Sequence, residues 1–241
     1  MSQLVLHIAR KHYPGAVEPT LLNFDLRLAP GAITALVGPS GVGKSTLLKM
    51  VAGLDDDFDG RVDGAHQRLG MVFQEPRLMP WLTVADNLKL TFPQATDTEV
   101  GDLLVAVGLA GRGADFPGHL SGGQQRRAAL ARAFLPKPTL LLMDEPFVSL
   151  DAPSAEQMHA LLLRLWADVR PTVMLVTHDL REALVLADRI VFLGGTPAQV
   201  VLDHAVTLAR PRHRDDAAIS AAYQSLLQGH KGLLSGEAVV L

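Results

Sequence analysis

The stretch Gly38-Pro39-Ser40-Gly41-Val42-Gly43-Lys44-Ser45-Thr46 constrains this chain more than any other. It satisfies in full the phosphate-loop pattern, in which a glycine, four variable positions and Gly-Lys precede a hydroxyl residue. Its flanks supply the context. Ile33-Thr34-Ala35-Leu36-Val37 is a short apolar run between Pro30-Gly31 and Gly38, which predicts a buried strand. From Lys44 to Val51 there is no helix breaker, and Leu47, Leu48 and Val51 recur at helical spacing. Strand, glycine-rich turn and helix start together make an anion cradle. The glycines let successive N–H groups face one phosphate chain, and the helix N-terminus adds partial positive charge. Lys44 brings a full charge to the terminal phosphates, and the Ser45 hydroxyl is a magnesium ligand. A nucleoside triphosphate is therefore expected along Gly38 to Thr46. What its binding achieves must be read from other residues.

The 241 residues allow one substantial core, in one lobe or two. A net charge of −3 gives no support to a nucleic-acid-coating surface. The chain has no cysteine, which excludes disulfides, thiol catalysis and cysteine metal sites and suits a reducing compartment. Met1 to Val5 lacks the basic-then-apolar pattern of a secretion signal. No window approaches ~18 uninterrupted apolar residues. A soluble, cytoplasmic protein is the expectation, unless a partner holds it to a membrane.

Along the chain, Leu4, Leu6 and Ile8 alternate as in a half-buried strand, and Leu22, Phe24, Leu26 and Leu28 do the same. Asp55 to Gly60 reads as a turn with solvated carboxylates, without the spacing or distal Glu of a calcium loop. Leu69 to Phe73 reads as a strand. From Glu75 to about Lys137 strand-like runs vanish, and Thr83 to Leu90, Thr98 to Val107 and Ser121 to Phe134 read as helices. Strands then return at Thr139 to Met143, Thr172 to Val176 and Ile190 to Leu193, alternating with helices at Ser154 to Val169 and Leu180 to Ala187. Asp215 to Leu227 reads as a final helix. Continuous apolar strands predict a mainly parallel sheet covered on both faces.

Leu140-Leu141-Leu142-Met143-Asp144-Glu145 puts two carboxylates at the end of a buried strand. Apolar residues and then Asp form the second nucleotide-site element of P-loop ATPases, so Asp144 is expected to hold magnesium. Glu145 beside it can orient and deprotonate an attacking water. Leu120-Ser121-Gly122-Gly123-Gln124-Gln125-Arg126-Arg127 opens another helix able to receive phosphate, although a simple Ser cap satisfies the same spacing. One nucleotide does not need two cradles from one chain. A head-to-tail dimer, in which each chain closes its twin's site, would use both.

That last stretch resembles the signature of the ATP-binding-cassette family, and other landmarks of the family appear in its order. Gln74 in Val72-Phe73-Gln74-Glu75-Pro76 is similar to the glutamine loop, Ser149-Leu150-Asp151-Ala152 to the aspartate loop, and His178 in Val176-Thr177-His178-Asp179 to the switch histidine. The resemblance runs from about Leu4 to Leu193. It implies an α/β fold with a P-loop ATPase core and mainly parallel sheet, an N-terminal antiparallel β portion and an inserted helical subdomain. It implies one domain over 1–241: a core at about 1–74 and 138–193, a helical subdomain at about 75–137 and a C-terminal extension at 194–241. ATP and magnesium are the implied cofactors.

By the same resemblance, Gly38, Pro39, Ser40, Gly41, Val42, Gly43, Lys44, Ser45 and Thr46 hold phosphates and magnesium. Gln74 senses magnesium and the attacking water, and Asp144 supports the metal. Glu145 is the general base, and His178 steadies the γ-phosphate. Ser121, Gly122 and Gly123 contact the γ-phosphate held by the other subunit, and Asp151 acts across that interface. Tyr13 takes the place of the aromatic residue that stacks on adenine. The family commonly has Ser-Ala-Leu-Asp where this chain has Val148-Ser149-Leu150-Asp151, a change between small residues with no expected loss.

The intervals point to a branch. The stretch from Lys44 to Ser121 has no room for a long coiled coil, one cassette is present, and no membrane span is visible. A stand-alone ATPase subunit docking on a separate permease remains. Val72 to Val84 and Ala209-Arg210-Pro211-Arg212 resemble importers of the nitrate, sulfonate and taurine group. With the sequence ending at Leu241, the regulatory domain of sugar-importer relatives is not expected. The implied partners are a second copy or a homologous ATPase subunit, an integral-membrane permease and an extracytoplasmic solute-binding protein, with no nucleic acid. The implied location is the cytoplasmic face of the membrane, through the permease. Leu78, Met79, Pro80 and Trp81 form an apolar patch suited to a short permease helix, or pack within the helical lobe. Two rival readings are a non-transport ATPase acting on protein or nucleic acid and a P-loop phosphotransferase. The trans cradle and His178 argue against the second.

Overall fold

The computed structural model describes residues 3–64 and 68–236, so residues 237–241 of the expected C-terminal extension lie outside the described residues. In chain order the elements are β1 (Leu4–Lys11), β2 (Leu21–Leu28), β3 (Ile33–Val37), α1 (Lys44–Val51) and β4 (Asp59–Asp63). There follow β5 (Leu69–Val72), α2 (Val84–Lys89), α3 (Asp97–Ala106), a 3-10 turn (Pro117–His119), α4 (Gly122–Phe134), β6 (Leu140–Asp144) and α5 (Ala152–Val169). The chain closes with β7 (Thr172–Thr177), α6 (Leu180–Leu186), β8 (Arg189–Gly194), β9 (Gln199–Ala205) and α7 (Ala217–Gly229). They form two compact units, one from Met1–Ala65 with Thr172–Leu241, the other from His66–Pro171.

The first unit carries two sheets. One is antiparallel, in the order β2-β1-β4. In the other, β3 runs parallel between β7 and β8, and β9 pairs antiparallel with β8. Every residue of β3 and β7 is buried, with α6 packed on β3 and α1 on β7, which is why both read as unbroken apolar runs. Asn23 changes the expected pattern of β2. Its φ of 49° is left-handed, a conformation Asn tolerates better than most residues, and it breaks the alternation. Leu21 therefore turns inward and Leu22 stays 42 % exposed, while Phe24, Leu26 and Leu28 remain buried. The Ala209-Arg210-Pro211-Arg212 segment grips the end of α6. Arg212 Nη1 donates to the carbonyls of Leu184 (2.8 Å) and Ala187 (2.7 Å), and Arg210 pairs with Asp188 at 2.6 Å. Cations on the last carbonyls of a helix are favourably placed.

In the second unit β5 and β6 run parallel, with Val72 opposite Met143. Its helices begin on side-chain caps: Thr83 for α2, Thr96 for α3, Ser121 for α4 and Asp151 for α5. Asn87 on α2 is fully buried. Its side chain accepts from the Met79 N–H at 2.7 Å and donates towards the carbonyls of Met79, Leu82 and Thr83. Asn87→Ala should therefore strand a buried N–H and several carbonyls, costing about 2–4 kcal/mol. A lowered urea midpoint at unchanged slope is the measurement; an unshifted midpoint would contradict the pinning role.

Candidate nucleotide site

In the first unit the phosphate loop leaves the C-terminal end of β3 and enters α1. Gly43 caps α1 with a φ of 107°, a left-handed turn that leaves no side chain over the helix start. A β-carbon at Gly38 would lie 2.5 Å from the Leu193 carbonyl oxygen, so the loop passes too close to β8 for any other residue. Lys44 is buried and folds back on the loop, its Nζ donating to the carbonyls of Gly38 (2.8 Å) and Pro39 (2.9 Å). Gly41, Val42, Ser45 and Thr46 complete the turn around the α1 N-terminus.

Two further expected residues belong to the same unit. His178 is exposed, one residue beyond β7, whose Thr177 lies beside Val37 in the register. The phosphate loop and His178 thus emerge from the C-terminal ends of adjacent parallel strands. Asp179 steadies that exit: Oδ1 accepts from the N–H groups of Arg181 and Glu182, and Oδ2 accepts from Arg214 at 2.6 Å. Sequence reasoning missed Arg214, because nothing local links it to Asp179. Tyr13, 37 % exposed, donates its hydroxyl to Asp55 Oδ2 at 3.0 Å and lies 3.2 Å from Thr46 Oγ1. The expected aromatic residue is therefore tied to the phosphate-loop helix. The acidic turn differs from its expectation: Asp55 is not solvated but bonded to Lys11 at 2.7 Å, with its side chain 13 % exposed.

The second unit holds the remaining expected residues. Gln74 follows β5 and Glu145 follows β6, so within this unit they leave the C-terminal ends of two neighbouring parallel strands. Asp144 ends β6. Glu145 has a φ of 44°, left-handed for a residue with a bulky side chain. Such strain costs about 1–3 kcal/mol and concentrates at functional positions. Ser121 caps α4 in a reciprocal box with Gln124, its Oγ accepting from the Gln124 N–H and its own N–H donating to Oε1. The capping reading of Ser121 is thus realised within the chain. Gly122 and Gly123 have a different character: a β-carbon at either would meet nothing within 4 Å. Asp151 caps α5, accepting from Ser154 at 2.7 Å, and these bonds hold its carboxyl below the usual range. Arg132 of α4, buried, donates to the carbonyls of Pro76 (2.9 Å) and Arg77 (2.8 Å), anchoring the segment after Gln74 to the signature helix. Burial holds its guanidinium below the usual arginine range.

The donors within each unit have the chemistry that a magnesium nucleotide takes. An α1 start without a capping side chain, a buried ammonium and glycine turns suit phosphate oxygens. The Ser45 hydroxyl and the Asp144 carboxylate are hard oxygen donors of the kind magnesium takes.

A family model described as ABC transporter matches residues 21–148. The chain belongs to the ABC transporter family. Relatives of this ABC protein include the aliphatic sulfonates import ATP-binding protein SsuB 1 of Rhodococcus jostii, 47 % identical over 214 residues, covering 87 % of this chain and 86 % of that one. SsuB 1 of Xanthomonas axonopodis is 43 % identical over 242 residues, covering 94 % of this chain and 95 % of its own. Among solved structures, a post-hydrolysis dimer of the ATP-binding cassette MJ0796 bound to ADP and phosphate matches with a TM-score of 0.73 and 30 % identity. The match covers 86 % of this chain and all of that one. As an ABC cassette, the chain binds ATP and has the α/β fold of that family. Lys44, Gln74, Ser121, Asp144 and Glu145 fall inside the family match, and Tyr13, Asp151 and His178 outside it. On the ABC chain's surface, Trp81 is 71 % exposed and Pro80 is exposed beside it, with Leu78 and Met79 half-buried. Among the described residues, no helix is long and apolar enough to cross a membrane.

Proposed function

We propose that this chain is the ATP-hydrolysing subunit of an ABC importer, that two copies close head-to-tail around two ATP, and that closure drives a separate integral-membrane permease. The observation that carries the reading is the start of α4. Two consecutive glycines open the helix, and a β-carbon at either would meet nothing within 4 Å among the described residues. Room kept bare at a helix N-terminus is room for an anion delivered from outside the chain. In this reading Ser121, Gly122 and Gly123 meet the γ-phosphate held by the partner copy, and Asp151 faces the same junction. Support for pairing also comes from the MJ0796 cassette, whose solved forms are described as dimers.

Within each site, Lys44 and the N–H groups from Gly38 to Thr46 bind the phosphates. Glu145 takes the proton of the attacking water, and Gln74 orients that water. His178, held by its Asp179 anchor, donates to the γ-phosphate as charge develops. Ser45, Gln74 and Asp144 would hold magnesium, which when bound neutralises charge on the phosphate oxygens. The helices α2 to α4 act as the inserted helical subdomain, and Leu78 to Trp81 dock the permease at the cytoplasmic face of the membrane. An extracytoplasmic binding protein would deliver the solute. The names of the Rhodococcus and Xanthomonas relatives support a small anion of the sulfonate class.

The test is capture of the tagged chain with its permease, followed by ATP-driven uptake of ethanesulfonate into proteoliposomes. Hydrolysis stimulated by nucleic acid, with no permease captured, would overturn the transport reading. Trp81→Ala sharpens it. The side chain is 71 % exposed, so stability should change by less than about 0.5 kcal/mol. Permease recovery should fall several-fold; full recovery would place docking elsewhere.

A further inference from the structure

Lys11 ends β1 yet is only 1 % exposed. Lysine is almost never buried without a partner, and this one has several. Its Nζ donates to Asp55 Oδ1 at 2.7 Å and to the Asp57 carbonyl at 2.6 Å. It also lies 4.5 Å from the centroid of the Tyr13 ring. Asp55 is shared, because its second oxygen accepts the Tyr13 hydroxyl at 3.0 Å. That hydroxyl is 3.2 Å from Thr46 Oγ1, in the first turn of α1. One aromatic ring is thus held by a cation on its face and by two hydrogen bonds at its edge. All these residues lie in the first unit.

The arrangement constrains what the ring can do. An ammonium on one face leaves only the other for a planar ligand. It also draws π density towards itself, so the opposite face becomes less negative and stacks better on an electron-rich purine. We propose that Lys11 and Asp55 are positioning residues that hold Tyr13 as a one-sided platform for the nucleotide base. The Thr46 contact sets that platform at a fixed place relative to the phosphate-loop helix. The proposal rests on the reading of Tyr13 as the base-stacking residue. The charges persist. Burial pushes the Lys11 amine down, but the Asp55 bonds outweigh it and leave the amine raised. Burial likewise pushes Asp55 up, and the bonds from Lys11 and Tyr13 outweigh it and leave the carboxyl lowered. Both partners are therefore ionised across the neutral range.

The experiment is titration calorimetry of the full chain with magnesium ATP and with magnesium tripolyphosphate, which has no base. Tyr13→Ala should weaken ATP about 5- to 100-fold, the range for loss of one stacked base. Lys11→Met and Asp55→Asn keep side-chain size and should weaken ATP several-fold while tripolyphosphate binds as in the wild type. If Tyr13→Ala leaves ATP affinity unchanged, the base-stacking reading itself fails. If Tyr13→Ala weakens ATP but Lys11→Met and Asp55→Asn do not, the positioning proposal fails and the stacking reading stands. Equal losses for ATP and tripolyphosphate in those two variants would also overturn it. Tyr13→Phe carries the test without touching the buried amine. It keeps the ring, drops both edge bonds and should weaken ATP several-fold; wild-type affinity in Tyr13→Phe would overturn the proposal.

Discussion

Glu145→Gln should lower the ATP turnover rate by about 10²- to 10⁴-fold, the range for loss of a general base. ATP affinity should stay within about two-fold of wild type, because no phosphate contact is assigned to this side chain. The substitution is isosteric, so it isolates the proton-accepting role from shape. Position strengthens the expectation. β6 is buried from Leu140 to Met143, and the chain then turns at Glu145 through a left-handed φ of 44°. A carboxylate at a strained position, where Gly or Asn would fit more easily, is what the proposed general-base role expects. With hydrolysis blocked and binding intact, the ATP-bound pair should accumulate and elute as a dimer on size exclusion. Phosphate release under single-turnover conditions measures the chemical step directly. A rate near wild type would remove Glu145 from that role. Glu145→Asp separates the two elements of the argument, since it keeps a base but withdraws it by one methylene, and should recover only part of the rate.

The same turn shows where sequence reading succeeds and where it stops. The strands that carry the site were legible because burial on both faces demands unbroken apolar runs, as in Ile33–Val37 and Leu140–Met143. The residues with expected roles follow such strands or open helices, so motif and local fold point the same way. β4 was not legible. Asp59–Asp63 is largely exposed and pairs with β1 through its backbone, which leaves no side-chain pattern to read. β9 is an outer, mostly exposed strand with the same difficulty. The Asn23 kink shifted which leucine faces inward by one residue. Asp55 was read as solvated because its partner, Lys11, is distant in sequence and is brought to it only by the fold. Arg214 on Asp179 escaped for the same reason. Strand ends and helix starts are local properties, whereas the ion pairs that hold site residues in place are not.

Gly122→Asp should separate stability from function. A carboxylate in the first turn of a helix is favoured by about 0.3–1 kcal/mol. A β-carbon added there meets nothing within 4 Å among the described residues, so the folded subunit should be as stable as wild type or slightly more so. ATP binding to the variant's own phosphate loop should persist, because Lys44 and α1 are unaltered. Hydrolysis should nevertheless collapse by about 10²-fold or more, since a negative charge would stand where the proposed head-to-tail pair receives the γ-phosphate. Mixing supplies the decisive control. In the proposed arrangement Lys44→Ala chains should bind ATP poorly and Gly122→Asp chains should fail to close a partner's site, so pairs of either variant alone should have both sites damaged. In a head-to-tail mixed pair one site inherits both defects and the other inherits none. Random pairing should then restore about a quarter of wild-type single-turnover hydrolysis, from a heterologous arrangement alone. If each chain instead completed its own site, every site in the mixture would carry one defect, and mixing two inactive preparations would yield an inactive one.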